Sequence, residues 1–199
     1  MIIEEFLSKI KKNFKFSIFI VNIFIILSIF VSLIIPVAYR SDFSVMVISN
    51  SDNDIYNSIK SADKFATFIE RIIYTDKFFA YVVNTNDDVN VSEFSIAPDK
   101  RRKEWKKMIN ISTLPDSGIA ELQVYGSTQK DSAKYASAVK NVLISNFSAF
   151  YSENTDLEIK ELDSIIVSKN PKRPDFLLNI LAGALSGIVV AGVAVYVKR

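Results

Sequence analysis

The chain is 199 residues long and contains no histidine and no cysteine, which excludes imidazole acid–base chemistry, thiol nucleophiles, disulfides, a cysteine-linked lipid anchor and the usual zinc sites. Its formal charge is +2, but that excess sits at the flanks of two apolar runs. Residues 40–175 carry 18 Lys/Arg against 20 Asp/Glu, a near-neutral balance that excludes a general nucleic-acid binder, whose domain would be net basic.

Residues 1–15 include Lys9, Lys11, Lys12 and Lys15 and lead into 16–39, a run of 24 residues without a charge. A second uncharged run of 22 residues occupies 176–197 and is followed by Lys198 and Arg199. At about 1.5 Å per residue each run makes a helix of roughly 33–36 Å, enough to cross a hydrocarbon core of about 30 Å. Only helices and closed barrels satisfy their backbone groups in lipid, so both runs are expected to be transmembrane helices. The first exceeds a signal-peptide core of about 7–15 residues. Its exit, Pro36-Val37-Ala38-Tyr39-Arg40, lacks an A-x-A pattern, so an uncleaved anchor is expected. An even number of spans puts both termini on one side. Six cations on the terminal flanks stand against Arg40, Lys169, Lys172 and Arg173 on the other, which predicts cytoplasmic termini and an extracytoplasmic domain at 40–175. A loop longer than about 60 residues translocates largely regardless of its charge.

Within that domain, 43–49 is rich in β-branched residues and ends in the turn cluster Asn50-Ser51-Asp52-Asn53-Asp54, which predicts a strand. From Ile55 the apolar spacing changes to Ile55, Ile59, Ala62, Ala66, Ile69 and Ile73, the steps of three and four of an amphipathic helix. Thr75-Asp76 offers a cap for a shorter helix over 77–83. Residues 84–98 are turn-rich and predict no element. Asp52, Asp54, Asp87 and Asp88 are expected to cap turns rather than bind a metal. Asn90, Asn110 and Asn146 each open an N-x-S sequon, a match that counts only in a chain exposed to a glycosylation machinery.

Residues 99–108 predict a short, very basic helix. It holds Lys100, Arg101, Arg102, Lys103, Lys106 and Lys107 and the only tryptophan, Trp105. Two readings stand. In one, the helix is solvated and Trp105 docks on the core. In the other, the cations meet an anionic glycan or lipid headgroups and Trp105 stacks on sugar or anchors at an interface.

Strands are expected at 109–113 and 119–125, joined by Leu114-Pro115-Asp116-Ser117-Gly118 as a hairpin turn. Thr128 with Asp131 resembles a capping box and opens a long helix with Ala136, Val139, Leu143, Phe147 and Phe150 on one face. An extended stretch at 157–167 leads back to the second apolar run. The order β-α-α-β-β-α-β predicts a small α/β (α+β) domain, a mostly antiparallel sheet with packed helices, between two transmembrane helices.

Asn170-Pro171-Lys172-Arg173-Pro174 precedes the second run, which carries Gly183, Gly187 and Gly192. This segment resembles the proline-rich entrance to the second transmembrane helix of Wzz-type chain-length determinants, the polysaccharide co-polymerases of bacterial inner membranes. The strand Ile119-Ala120-Glu121-Leu122-Gln123-Val124, the turn to Gln129-Lys130-Asp131-Ser132-Ala133 and the helix through Asn141 resemble that family's strand and "D-P-x-x-A…N" helix start. The likeness spans the whole chain by architecture, while its motifs occupy two short stretches.

The resemblance implies a non-enzymatic homo-oligomeric ring without cofactor or metal. Such a ring sets the length of a surface polysaccharide, whether O-antigen, capsule or exopolysaccharide. Its implied partners are a polysaccharide polymerase, the nascent polysaccharide, membrane lipid and, in some members, a separate tyrosine kinase. The chain departs from the family in three ways. Its 136-residue domain leaves no room for a long helical arm, no Walker-type ATPase follows the second run, and the tail 198–199 is too short for the usual kinase contact. Gly183-x-x-x-Gly187 is expected to be a packing face, or simply the glycine content common in membrane helices. Pro171 and Pro174 either break the chain before the helix or form a strut gripping a neighbouring subunit. Two rivals are a sensor or adaptor signalling through the spans, which lacks an output domain here, and a carboxylate-only envelope enzyme, for which no acid pair stands out.

Overall fold

A computed structural model describes residues 12–49, 55–151 and 157–197, at 55–57 by their backbone only. The expected turn at 50–54 and the tail at 198–199 lie outside the described residues, as do all but four residues of the 1–15 segment. In chain order the elements are α1 (Phe14–Ile34), β1 (Tyr39–Ser49), α2 (Ile55–Ile72), α3 (Asp76–Thr85), a 3-10 turn (Val91–Glu93), α4 (Pro98–Met108), β2 (Ile109–Leu114), β3 (Ile119–Gly126), α5 (Gln129–Ser145), a second 3-10 turn (Phe147–Phe150), β4 (Leu157–Val167) and α6 (Phe176–Val197). They divide into two compact units, one holding the two apolar helices and the other residues 38–171.

Both α1 and α6 are long and apolar enough to cross a membrane. The first helix begins two residues earlier than the uncharged run and stops well before its end, because Pro36 intervenes. The ring of a proline disfavours helical backbone at the preceding residue, and Ile35 is extended at φ −72°, ψ 126°. Tyr39, expected to close the span, is instead the first residue of β1. At the second helix, Asp175 Oδ1 accepts the Leu178 N–H at 3.0 Å, satisfying one of the free donors of its first turn.

The 38–171 unit is a four-stranded sheet in the order β2-β3-β1-β4, and every pairing among the described residues is antiparallel. β1 alternates strictly, with Ser41, Phe43, Val45, Val47 and Ser49 buried and their neighbours half-exposed, so one face of the sheet is covered. The cover is α2 and α5, and α3 packs on α5. The stripe of α2 buries Ala62, Ala66, Ile69 and, just past its end, Ile73, whereas Ile59 is exposed. The caps form where expected. Thr75 Oγ1 accepts from Phe78 N at 3.2 Å and Thr128 Oγ1 from Asp131 N at 3.0 Å. The 114–118 hairpin turns through Asp116 and Gly118, both left-handed at φ 56° and 66°, a conformation that costs Gly nothing and Asp little.

Phe147 and Phe150 are not on the face of the long helix. Asn146 leaves helical geometry at φ −122°, ψ 6°, and both rings belong to the following 3-10 turn. From there Phe147 packs edge-on to Phe68 of α2 and against Tyr151.

Candidate functional site

The helix pair is built on a four-residue ridge. Gly183, Gly187, Ala191 and Val195 are the buried residues of α6, and residues four apart lie on one helix face. A Cβ at Gly183 would stand 2.7 Å from Ser28 Cβ and 2.9 Å from the Phe24 carbonyl. One at Gly187 would stand 2.8 Å from Val21 Cα. The glycines therefore are a packing face, and in this structure α1 of the same chain occupies it. Gly192 is only half-buried and borders a cleft of about 270 Å³ with Ser17, Asn22 and Ile188. A polar link that sequence reasoning missed closes the other end of the pair. Asn179 Nδ2 donates to the buried Ser32 Oγ at 2.8 Å, and Ser32 Oγ donates to the Ser28 carbonyl at 2.9 Å. Both Asn179 and Ser32 were visible as polar residues inside apolar runs.

The cation-rich helix is α4. Its Trp105 is 1% exposed, donates its indole N–H to the Ile73 carbonyl and meets Phe79 and Phe94 edge-on. The proposed stacking of Trp105 on sugar or headgroups is thus corrected: the indole faces the core. Arg101 lays its guanidinium 5.3 Å from the Phe79 ring centroid. Arg102 pairs with Asp76, whose carboxyl is held below its ordinary range first by that hydrogen bond. Lys106 lies 5.7 Å from the Tyr74 ring centroid. Lys100, Lys103 and Lys107 are exposed. Glu104 faces back, accepting from the Ser95 N–H at 2.9 Å and from its hydroxyl.

Where the chain leaves the sheet, α5 holds it. Gln129 Nε2 donates to the carbonyls of Ser168 at 3.2 Å and Lys169 at 2.8 Å. The start of α5 is itself pressed against β3, since a Cβ at Gly126 would lie 2.3 Å from Ser132 N. Ser41 Oγ donates to the buried Ser132 Oγ at 2.9 Å. Pro171, two residues after Lys169, is exposed and Pro174 half-buried, and the Arg173–Pro174 peptide is cis.

The uncovered sheet face carries a shallow groove of about 250 Å³ bordered by Arg40, Asp42, Ser44, Glu121, Gln123 and Asp163. Glu121 and Asp163 both pair in register with Ser44, from its two sides. Asp42 accepts from Arg40 Nε at 3.0 Å. Three carboxylates against one guanidinium make this a surface for hydroxyl donors rather than anions. The exposed lysines of α4 suit anions instead.

No protein-family model matches the chain, and no curated protein matches it.

Proposed function

We propose that this chain is a two-span protein of a bacterial inner membrane, with cytoplasmic termini. In this reading its 38–171 unit stands outside as a non-enzymatic, self-associating co-polymerase scaffold that regulates the length or export of a surface polysaccharide. The observation that carries the reading is architectural. One α/β unit is inserted between two helices of membrane-crossing length, and the stretch resembling the Wzz-type family forms one continuous device in it. That device is β3, the Thr128 cap and α5, whose Gln129 holds the Lys169 carbonyl immediately before the proline segment begins at Asn170. The acceptor-rich groove would meet a neutral glycan, and Lys100 and Lys103 an anionic one. Each contact is weak alone and gains from repetition around an assembly. A polymerase and the nascent polysaccharide are the partners this reading requires.

The test is the size distribution of the surface polysaccharide in a strain lacking this chain. Polymer that persists with its modal length lost is the expected result. An unchanged distribution would overturn the reading, and loss of all polymer would move the role to export or to activation of a separate kinase.

A further inference from the structure

Two asparagines stand inside the apolar helices, and their surroundings differ. Asn179 is satisfied within the chain by Ser32. Asn22 is exposed on α1, and its carboxamide makes no hydrogen bond among the described residues. Asn22 is the ninth of the 21 residues of α1. At about 1.5 Å per residue it lies roughly 12 Å from one end of the helix and 18 Å from the other. In a hydrocarbon core of about 30 Å that depth is out of reach of water and headgroups alike. An amide group there must find a protein partner or stay unpaired in lipid.

The surface beside it suits another helix. The cleft next to Asn22 is bordered by the apolar Ile18, Val21 and Ile188 and by the small residues Ser17, Ala191 and Gly192, and small residues let a second backbone approach closely. The larger small-residue ridge, Gly183 and Gly187, is already filled by α1 of the same chain and is closed to a newcomer. We infer that Asn22 is the contact through which copies of this chain join inside the membrane, the carboxamide of one donating to the carboxamide of the next. The group is self-complementary, carrying both donor and acceptor. Identically oriented copies present it at the same depth, so the same pairing serves a dimer or a closed ring. This inference rests on the proposed insertion and self-association of the chain, and not on what the assembly does to a polysaccharide.

The chain has no cysteine, so a single introduced thiol reports alone. Full-length protein in nanodiscs would carry Phe19→Cys or Ile26→Cys, exposed positions on the flank of Asn22, or Leu27→Cys, exposed on another flank. Oxidative cross-linking should yield dimer from the first two and at least fivefold less from Leu27→Cys. Adding Asn22→Leu should reduce the Phe19→Cys dimer at least fivefold and lower the assembly mass, while Asn22→Gln should retain both. Leucine favours insertion, and unchanged fluorescence of the lone Trp105 certifies the folded domain. An oligomer unchanged in mass and cross-linking by Asn22→Leu would overturn the Asn22 contact and leave the scaffold reading standing. A wild-type chain that is monomeric throughout would overturn the self-association on which both depend.

Discussion

The indole N–H of Trp105 donates to the main-chain carbonyl of Ile73 across 2.7 Å, fastening the cation-rich helix to the end of α2. The hydrogen bond and the Phe79 and Phe94 rings make this helix a wall of the core with its lysines on the outside. Trp105→Ala should cost about 3–5 kcal/mol. Trp105→Phe, which keeps a ring but strands the carbonyl, should cost about 1–3 kcal/mol. Lys100→Ala and Lys103→Ala should stay within about 0.5 kcal/mol of wild type. Denaturant titration followed by far-ultraviolet circular dichroism measures all four. Equal losses for the lysine and tryptophan variants would contradict the placement of the helix.

The link between Asn179 and Ser32 predicts which chain each helix packs against. Ser32→Cys combined with Asn179→Cys, in an otherwise cysteine-free chain, should be joined by a short bifunctional thiol reagent into a product of monomer mass. A product of dimer mass would show that the helix pair forms between copies instead.

Gly126 touches the start of α5 so closely that any side chain must displace main-chain atoms. Gly126→Ala should destabilise the domain by at least about 1–3 kcal/mol, the usual range for overpacking. It should also loosen the buried Ser41–Ser132 hydroxyl pair. A thermal midpoint within a degree of wild type would count against that packing.

Stability should bend with pH at both ends. Glu93 accepts from the Tyr135 phenol and from Lys134 at 2.9 and 3.0 Å. The Tyr135 hydrogen bond is the largest influence holding its carboxyl below the ordinary 4.5. Glu104 is lowered likewise by the Ser95 hydroxyl and N–H. A folded pKa below the unfolded one adds stability that is complete above the unfolded value and is lost as pH falls through the folded value. The thermal midpoint should therefore hold near neutrality and decline below about pH 4.5, less steeply in Glu93→Gln. Tyr135 is displaced the other way, raised first by burial and then by Glu93. The unfolded chain releases that proton first, so stability should also fall as pH rises past about 10. A Glu93→Gln profile superimposable on wild type at acid pH would contradict this assignment.

Much of the fold was legible because its signals are local. The β-branched residues of 43–49, the steps of three and four after Ile55, the caps at Thr75 and Thr128, and the Pro115–Gly118 turn each act within one or two turns of chain. Pro36 was equally local, and its effect on Ile35 places the end of α1 before Tyr39. What was not legible is non-local. Spacing announces that Gly183 and Gly187 admit a close neighbour, but says nothing of which helix arrives. Gln129 reaches carbonyls 39 and 40 residues away, and no periodicity marks such a bond. A lone tryptophan among six cations has the same spelling whether it faces core or solvent. Its burial is decided by Phe79 and Phe94, which approach from other elements.

β1 and β4 are antiparallel neighbours, with Ser41 opposite Val167, so the chain enters and leaves the domain at one corner of the sheet. Tension applied at residues 38 and 171 would load this ladder one rung at a time, as a zipper is opened, and never shear the whole sheet at once. The first rungs are the Arg40 N–H to Ser168 Oγ at 2.9 Å and the Ser168 N–H to the Arg40 carbonyl at 2.8 Å. Gln129 bolts the same corner to α5. Mechanical resistance of the domain is therefore concentrated in a latch of a few hydrogen bonds. A modest pull along the chain would spring that latch before it disturbed the hydrophobic interior.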